Sequence, residues 1–151
     1  MTKQDLIDAL NLDITDEFAS AIQYINHASL ISGPEYVSVQ KELLVHSTEE
    51  LFHATILAEQ VAFLGGRPAV TVGPICTSAS SEEMLQADLE GEKAAVARYK
   101  ARIRAAHELG EYGLARVLQD VLVMEEEHVR DLQAAVRRDS TTVPRLVKAV
   151  R

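Results

Sequence analysis

One set of residues occurs twice in this chain at a constant separation. Glu17, Tyr24, Glu50 and His53 return as Glu92, Tyr99, Glu125 and His128, each 75 positions later. Glu-x-x-His places a carboxylate and an imidazole on one face of a helix. Two such pairs, with one further glutamate from each of two other helices, make the ligand set of a carboxylate-bridged two-metal site inside a four-helix bundle. The repeat therefore predicts an all-α chain built as two related helical hairpins.

The apolar pattern agrees. Leu6, Ile7, Leu10, Ile14, Phe18, Ala21, Ile22 and Ile25 recur at helical spacing and are expected to form the buried stripe of a first helix. Thr2 and Asp5 have the spacing of a capping box at its start, and Gly33-Pro34 ends it. A second helix is predicted from about Glu35 to Leu64, stopped by Gly65-Gly66-Arg67-Pro68. A third opens at Ser80 or Ser81 and runs to Leu109, and Gly110 and Gly113 bracket a tight turn. A fourth runs to about Arg138. The domain is thus expected over residues 1–138, followed by a C-terminal tail, 139–151, with a short fifth helix.

Glu17 and Glu50 are equidistant from the Gly33-Pro34 turn, and Glu92 and Glu125 are equidistant from a point beside Gly110. Residues equidistant from the turn of an antiparallel hairpin lie at one height, so all four glutamates are predicted near mid-bundle. A helix of about 30 residues is roughly 45 Å long. The irregular stretch 65–81, fully extended, reaches about 55 Å. It can run back along the bundle as a long crossover and set helix three parallel to helix two.

Buried, unpaired carboxylates cost several kcal/mol each, so four of them demand a cation. Four carboxylates and two imidazoles balance two divalent ions. Oxygen and nitrogen ligands without thiolate suit iron, with manganese and zinc as alternatives. One Glu-x-x-His alone is an ordinary solvated face; two copies at one offset, each with a glutamate 33 residues upstream, are not. Glu126 and Glu127 are expected to face solvent, Glu90 breaks the offset, and Glu49 is expected outside the site, about 100° round the helix from Glu50. His46 reads as either an accessory ligand or a polar core residue. Tyr24 and Tyr99 read as either donors to the ligands or plain core aromatics. His27 reads as either a supporting partner of the ligands or an ordinary satisfied histidine, and His107 as a surface one.

The net charge of −8 opposes non-specific binding to DNA or anionic membranes. The single cysteine, Cys76, excludes an internal disulfide and a cysteine-built metal cage within one chain. The first residues hold no long apolar run, so no membrane span is expected and a cytoplasmic location is.

The motifs resemble those of the ferritin-like superfamily, and most those of the bacterioferritins. EFASAIQYINHA from Glu17, EELFHATILAEQVAFLGGRP from Glu49 and MEEEHVRDL from Met124 carry the resemblance, which extends over residues 1–138. It implies a ferritin-like four-helix bundle that oxidises Fe(II) to Fe(III) with dioxygen or peroxide and stores iron. It also implies Glu17, Glu50, His53, Glu92, Glu125 and His128 as catalytic and metal ligands of a di-iron site. Glu50 and Glu125 would be the bridging pair. Bacterioferritins hold haem through a methionine directly after the second-helix glutamate; that position is Leu51 here, which has no donor atom, so haem is not expected.

The resemblance further implies a homo-oligomer, a two-fold dimer closing into a shell. The crossover residues Val70, Val72, Ile75 and Cys76 are placed for a neighbouring subunit to cover. The tail is shorter than the fifth-helix region of bacterioferritins, which leaves open the larger cage, the smaller shell of DNA-protecting relatives, or a dimer. The same ligands serve di-metal redox enzymes: a rubrerythrin-like peroxidase, a manganese catalase or an oxygenase. A DNA-protecting ferritin-like shell is a further alternative, opposed by the acidic balance.

Overall fold

The computed structural model describes residues 1–140. It contains four long helices, α1 (Lys3–Leu30), α2 (Val37–Phe63), α3 (Ser81–Glu108) and α4 (Tyr112–Ser140), with a 3-10 turn at Pro34–Tyr36. The fold is the predicted all-α four-helix bundle. At the start of α1 the Asp5 amide donates to the Thr2 hydroxyl while the Thr2 amide donates to the Asp5 carboxylate, closing the capping box. The Ser80 hydroxyl caps α3 by accepting from the Glu83 amide. Pro34 sets up the 3-10 turn, so α2 begins at Val37 rather than at Glu35. Gly110, at φ 74°, makes the α3–α4 turn, whereas Gly113 lies inside α4 and does not bracket it. The short fifth helix expected in the tail falls on residues outside those described.

Cross-helix bonds fix the directions. Tyr24 meets Glu92 and Tyr99 meets Glu17, so α1 and α3 run antiparallel. His53 lies near Glu125, and His128 near Glu49, so α2 and α4 are antiparallel too. The α1–α2 hairpin then makes α3 parallel to α2, the direction predicted for the crossover.

That crossover is fastened along α1. The Asn11 side chain donates to the Arg67 carbonyl at 3.0 Å and accepts from the Ala69 amide at 2.8 Å. The Gly73 amide donates to the Thr15 carbonyl at 2.8 Å, and the Cys76 amide to Gln23 Oε1 at 2.7 Å. Gly73 is needed for this approach: a Cβ there would stand 2.9 Å from Asp16 Oδ1 and 3.1 Å from the Thr15 carbonyl oxygen.

Two apolar clusters fill the interior. Leu6, Leu10, Ile14, Leu57, Val61 and Leu118 belong to one. Leu43, Met84, Leu85 and Leu132 belong to the other. Along every helix the glutamates and histidines of the repeated pattern fall between the two clusters, so the bundle buries its polar centre between apolar ends. Burial of each large aliphatic side chain is worth about 1.5–3 kcal/mol, which stabilises the bundle against the cost of its polar centre. Not all of the expected α1 stripe is inside. Ile22 and Ile25 are about half exposed. They lie on the flank of the stripe, toward solvent.

Candidate metal centre

The six glutamates and histidines of the repeated pattern converge. Glu17, Glu50, His53, Glu92, Glu125 and His128 are all at most 3% exposed. Close helix approach makes room for this: α2 docks on α1 with the Ser47 hydroxyl donating to the Ala21 carbonyl at 3.0 Å. Ala21 and Ala95 are buried at the interfaces.

The carboxylates group around two imidazole nitrogens. His53 Nδ1 lies 3.0 Å from Glu50, 3.4 Å from Glu125 and 3.6 Å from Glu17. His128 Nδ1 lies 3.0 Å from Glu50, 3.3 Å from Glu125 and 3.4 Å from Glu92. The groups Glu17–Glu50–His53–Glu125 and Glu50–Glu92–Glu125–His128 each bring their donor atoms within 4.8 Å of one another. Glu50 and Glu125 belong to both. His128 Nδ1, Glu50 Oε1 and both Glu125 oxygens lack a hydrogen-bond partner although they face each other. Converging buried donor atoms that are left unpaired are costly, and a cation would satisfy them.

The charge balance of the centre is under strain. Burial, and then Glu92, Glu17 and Glu125, push the Glu50 carboxyl well above its usual value. Burial also raises Glu92, against the contact with His128. Burial favours the neutral form of His53, but Glu125, Glu17 and Glu50 outweigh it and push its pKa up to about 12. His128 is raised for the same reason by Glu125, Glu50 and Glu92. For Glu125, burial and Glu17 are outweighed by His128 and His53, and its pKa falls. Protons are held among these groups where the charge of a bound metal would keep the carboxylates ionised.

The two tyrosines, left open by the sequence, act as donors. The Tyr24 hydroxyl donates to Glu92 and the Tyr99 hydroxyl to Glu17, both buried. Burial and the neighbouring carboxylates raise both phenols well above their usual value, so both stay protonated and can donate. Glu126 is half exposed and paired with Lys100, Glu127 and Glu90 are exposed, and His107 is at the surface against Tyr112.

Glu49 is a correction. It was expected outside the site, yet Glu49 Oε2 lies 2.9 Å from His128 Nε2 and accepts its hydrogen. Its long side chain bridges the angular gap from Glu50 to the α2–α4 seam. This bond fixes the His128 tautomer and aims Nδ1 at the carboxylates. His46 stacks on His128 with ring centroids 4.1 Å apart. Burial, followed by the adjacent His128, holds its pKa low.

Two polar pairs flank the centre, and of their four residues the sequence reading weighed only His27. Arg102 Nε donates to Asp13 Oδ2 at 2.8 Å on one side. His27 Nδ1 sits 2.9 Å from both Asp88 oxygens on the other. Asp13 and Asp88, like His27 and Arg102, are again 75 positions apart. The same offset that located the ligands was available to find them.

A four-helix bundle that buries two overlapping carboxylate–imidazole sets at mid-height has the arrangement from which helical bundles build two-metal sites. Residues 7–141 match the ferritin-like domain, and the chain belongs to the ferritin-like family. It is similar to a bacterioferritin of Brucella melitensis, 32% identical over 85% of this chain and 80% of the relative. A ferritin-like, diiron-carboxylate protein of Bacillus anthracis superposes with a TM-score of 0.85 at 27% identity, over 90% of this chain and 99% of that one. A dodecameric thioferritin, the bacterioferritin-related protein of Bacteroides fragilis, superposes with a TM-score of 0.84 at 26% identity, over 93% and 89%. Among the described residues no helix is long and apolar enough to cross a membrane.

Proposed function

We propose that the chain is a ferroxidase and iron-storage protein of the bacterioferritin kind. It binds two Fe(II) side by side and oxidises them with dioxygen or peroxide. Glu17 and His53 would hold one ion and Glu92 and His128 the other, with Glu50 and Glu125 available to both. The observation that carries this reading is the membership of Glu50 and Glu125 in both donor groups. Two metals held about 3.5–4 Å apart can each give one electron to a single oxidant. With dioxygen the balance is two Fe(II), one O2 and two protons giving two Fe(III) and hydrogen peroxide.

The residues supply positioning and proton control. Tyr24 and Tyr99 orient the terminal carboxylates, Glu49 orients His128, and the apolar clusters on either side keep bulk water from the pair. Manganese or zinc fits the same ligands. Leu51, exposed on α2, offers no donor for haem.

Storage requires enclosure, and we assign the chain to a homo-oligomeric, cytoplasmic shell built from two-fold dimers. We assign residues 1–138 to the bundle domain. Ile22, Ile25, Leu44, Val45, Leu51 and Phe52 leave a half-exposed apolar strip on α1 and α2 that such a dimer would cover.

Mixing metal-free protein with Fe(II) and then with aerated buffer in a stopped-flow spectrometer tests the assignment. Glu50→Ala and Glu125→Ala should each abolish most of the rapid phase. Oxidation at the wild-type rate in both variants would sink the assignment.

A further inference from the structure

The 75-residue symmetry is broken at four polar positions on one flank of the centre. The counterparts of Glu42, His46, Glu49 and Asp131 are Val117, Val121, Met124 and Ile56. Val121 is buried in an apolar cluster and Ile56 packs against it. The fold therefore accepts apolar side chains at these places, and helix packing does not require the polar ones.

The polar flank opens on a cavity of about 270 Å³ between α2 and α4, lined by Glu42, His46 and Asp131 together with apolar residues. His46 Nε2 lies 3.4 Å from Asp131 Oδ2 and 3.6 Å from Glu42 Oε1. The carboxylate side chains are half exposed, and that of His46 is 2% exposed. His46 Nδ1 has no hydrogen-bond partner, although the residue is 1% exposed. Such an imidazole, stacked on His128, sits where a Val or Leu would cost less.

The donor groups also form a chain. Glu42–His46–Asp131, His46–Glu49–His128 and Glu50–Glu92–Glu125–His128 are each compact enough to hold an ion, and consecutive groups share one histidine. We propose that Glu42, His46 and Asp131 form a third divalent-cation site, at the mouth of a one-sided route by which Fe(II) reaches the His128 half of the centre. The proposal rests on the reading of the centre as a metal site. Carboxylates at an exposed mouth raise the local concentration of a dication, and the buried imidazole exchanges part of its hydration for a nitrogen ligand. The opposite flank, with Val117, Val121, Met124 and Ile56, offers a cation nothing.

Anaerobic Co(II) is a suitable probe because it has the charge of Fe(II) and adjoins it in ligand preference. Equilibrium dialysis of the metal-free protein with metal analysis should give three Co(II) per chain. The half-exposed double variant Glu42→Gln/Asp131→Asn should give two, with the Co(II) absorption of the centre unchanged at saturation. Arrival of Co(II) at the centre, followed by stopped-flow absorption, should slow on the order of tenfold in that variant. Crystals soaked in Co(II) should place an anomalous peak against His46 Nε2, lost in the double variant. Two Co(II) per wild-type chain, or an unchanged count and rate in the double variant, would overturn the proposal while leaving the centre intact. A protein that binds none would overturn both readings.

Discussion

Tyr24 and Glu92 lie on different hairpins, and a buried hydrogen bond from the Tyr24 hydroxyl joins them across the centre. Tyr99 returns the same bond to Glu17. Each hairpin thus orients a carboxylate belonging to the other. Tyr24→Phe should weaken metal binding at the His128 position, and Tyr99→Phe at the His53 position, each by about 10–100-fold. The two central steps of a Co(II) titration, read by the absorption of the centre, check this; equal effects of both variants on both central steps would refute the pairing.

Asp13 is fully buried between Arg102 at 2.8 Å and Arg98 at 3.3 Å. Burial raises its pKa, and Arg102 and Arg98 work against that rise. Arg102→Ala leaves a buried carboxylate short of its main partner and should cost up to about 3–5 kcal/mol. Asp13→Leu/Arg102→Leu should recover most of the loss, since no charge is then stranded. Urea unfolding of metal-free protein measures both, and a larger loss in the double variant would contradict the argument.

Proton and metal compete for the same atoms. The pKa of His53 in the folded protein is pushed up to about 12, above the value near 6.5 of an exposed histidine. Its contribution to the stability of the metal-free fold is therefore complete below about pH 6.5 and is lost as pH rises through about 12. Metal-free protein should melt at a lower temperature at pH 10 than at pH 7, and His53→Gln should flatten that difference. Metal binding should release protons and strengthen with rising pH, which calorimetry in buffers of different ionisation enthalpy detects.

The repeat made the six central residues legible because helical spacing fixes a face and the common offset fixes a height. The tyrosines were legible in position but not in role, since a phenol seven residues from a glutamate suits a core as well as a hydrogen bond. Asp13 and Asp88 obey the offset and were readable in principle. Glu49 was not, because angular position predicts where a Cβ points and not how far a glutamate reaches. Ile22 and Ile25 show the same limit: an apolar stripe wider than the interior it faces looks uniform in one dimension.

Glu49 also separates the two halves functionally. His128 Nε2 has Glu49 as acceptor, while His53 Nε2 is buried without a partner, its symmetry mate of Glu49 being Met124. Glu49→Met copies that arrangement onto the His128 side. The two Co(II) binding steps should then move closer together in affinity by about 10-fold. A wider separation of the steps would count against the tautomer argument.

Fusing two hairpins into one polypeptide changes what substitution can do. A centre assembled from two identical hairpin subunits about a true two-fold axis would receive every mutation twice. An opening on one side would appear on the other, and water would be admitted from both. Carrying both copies on one chain, tied by the strap that runs along α1, lets one copy stay sealed by valine, isoleucine and methionine while the other becomes polar. Two hairpins on one chain thus permit a directional interior, with a front and a back, around a centre whose six residues keep one offset.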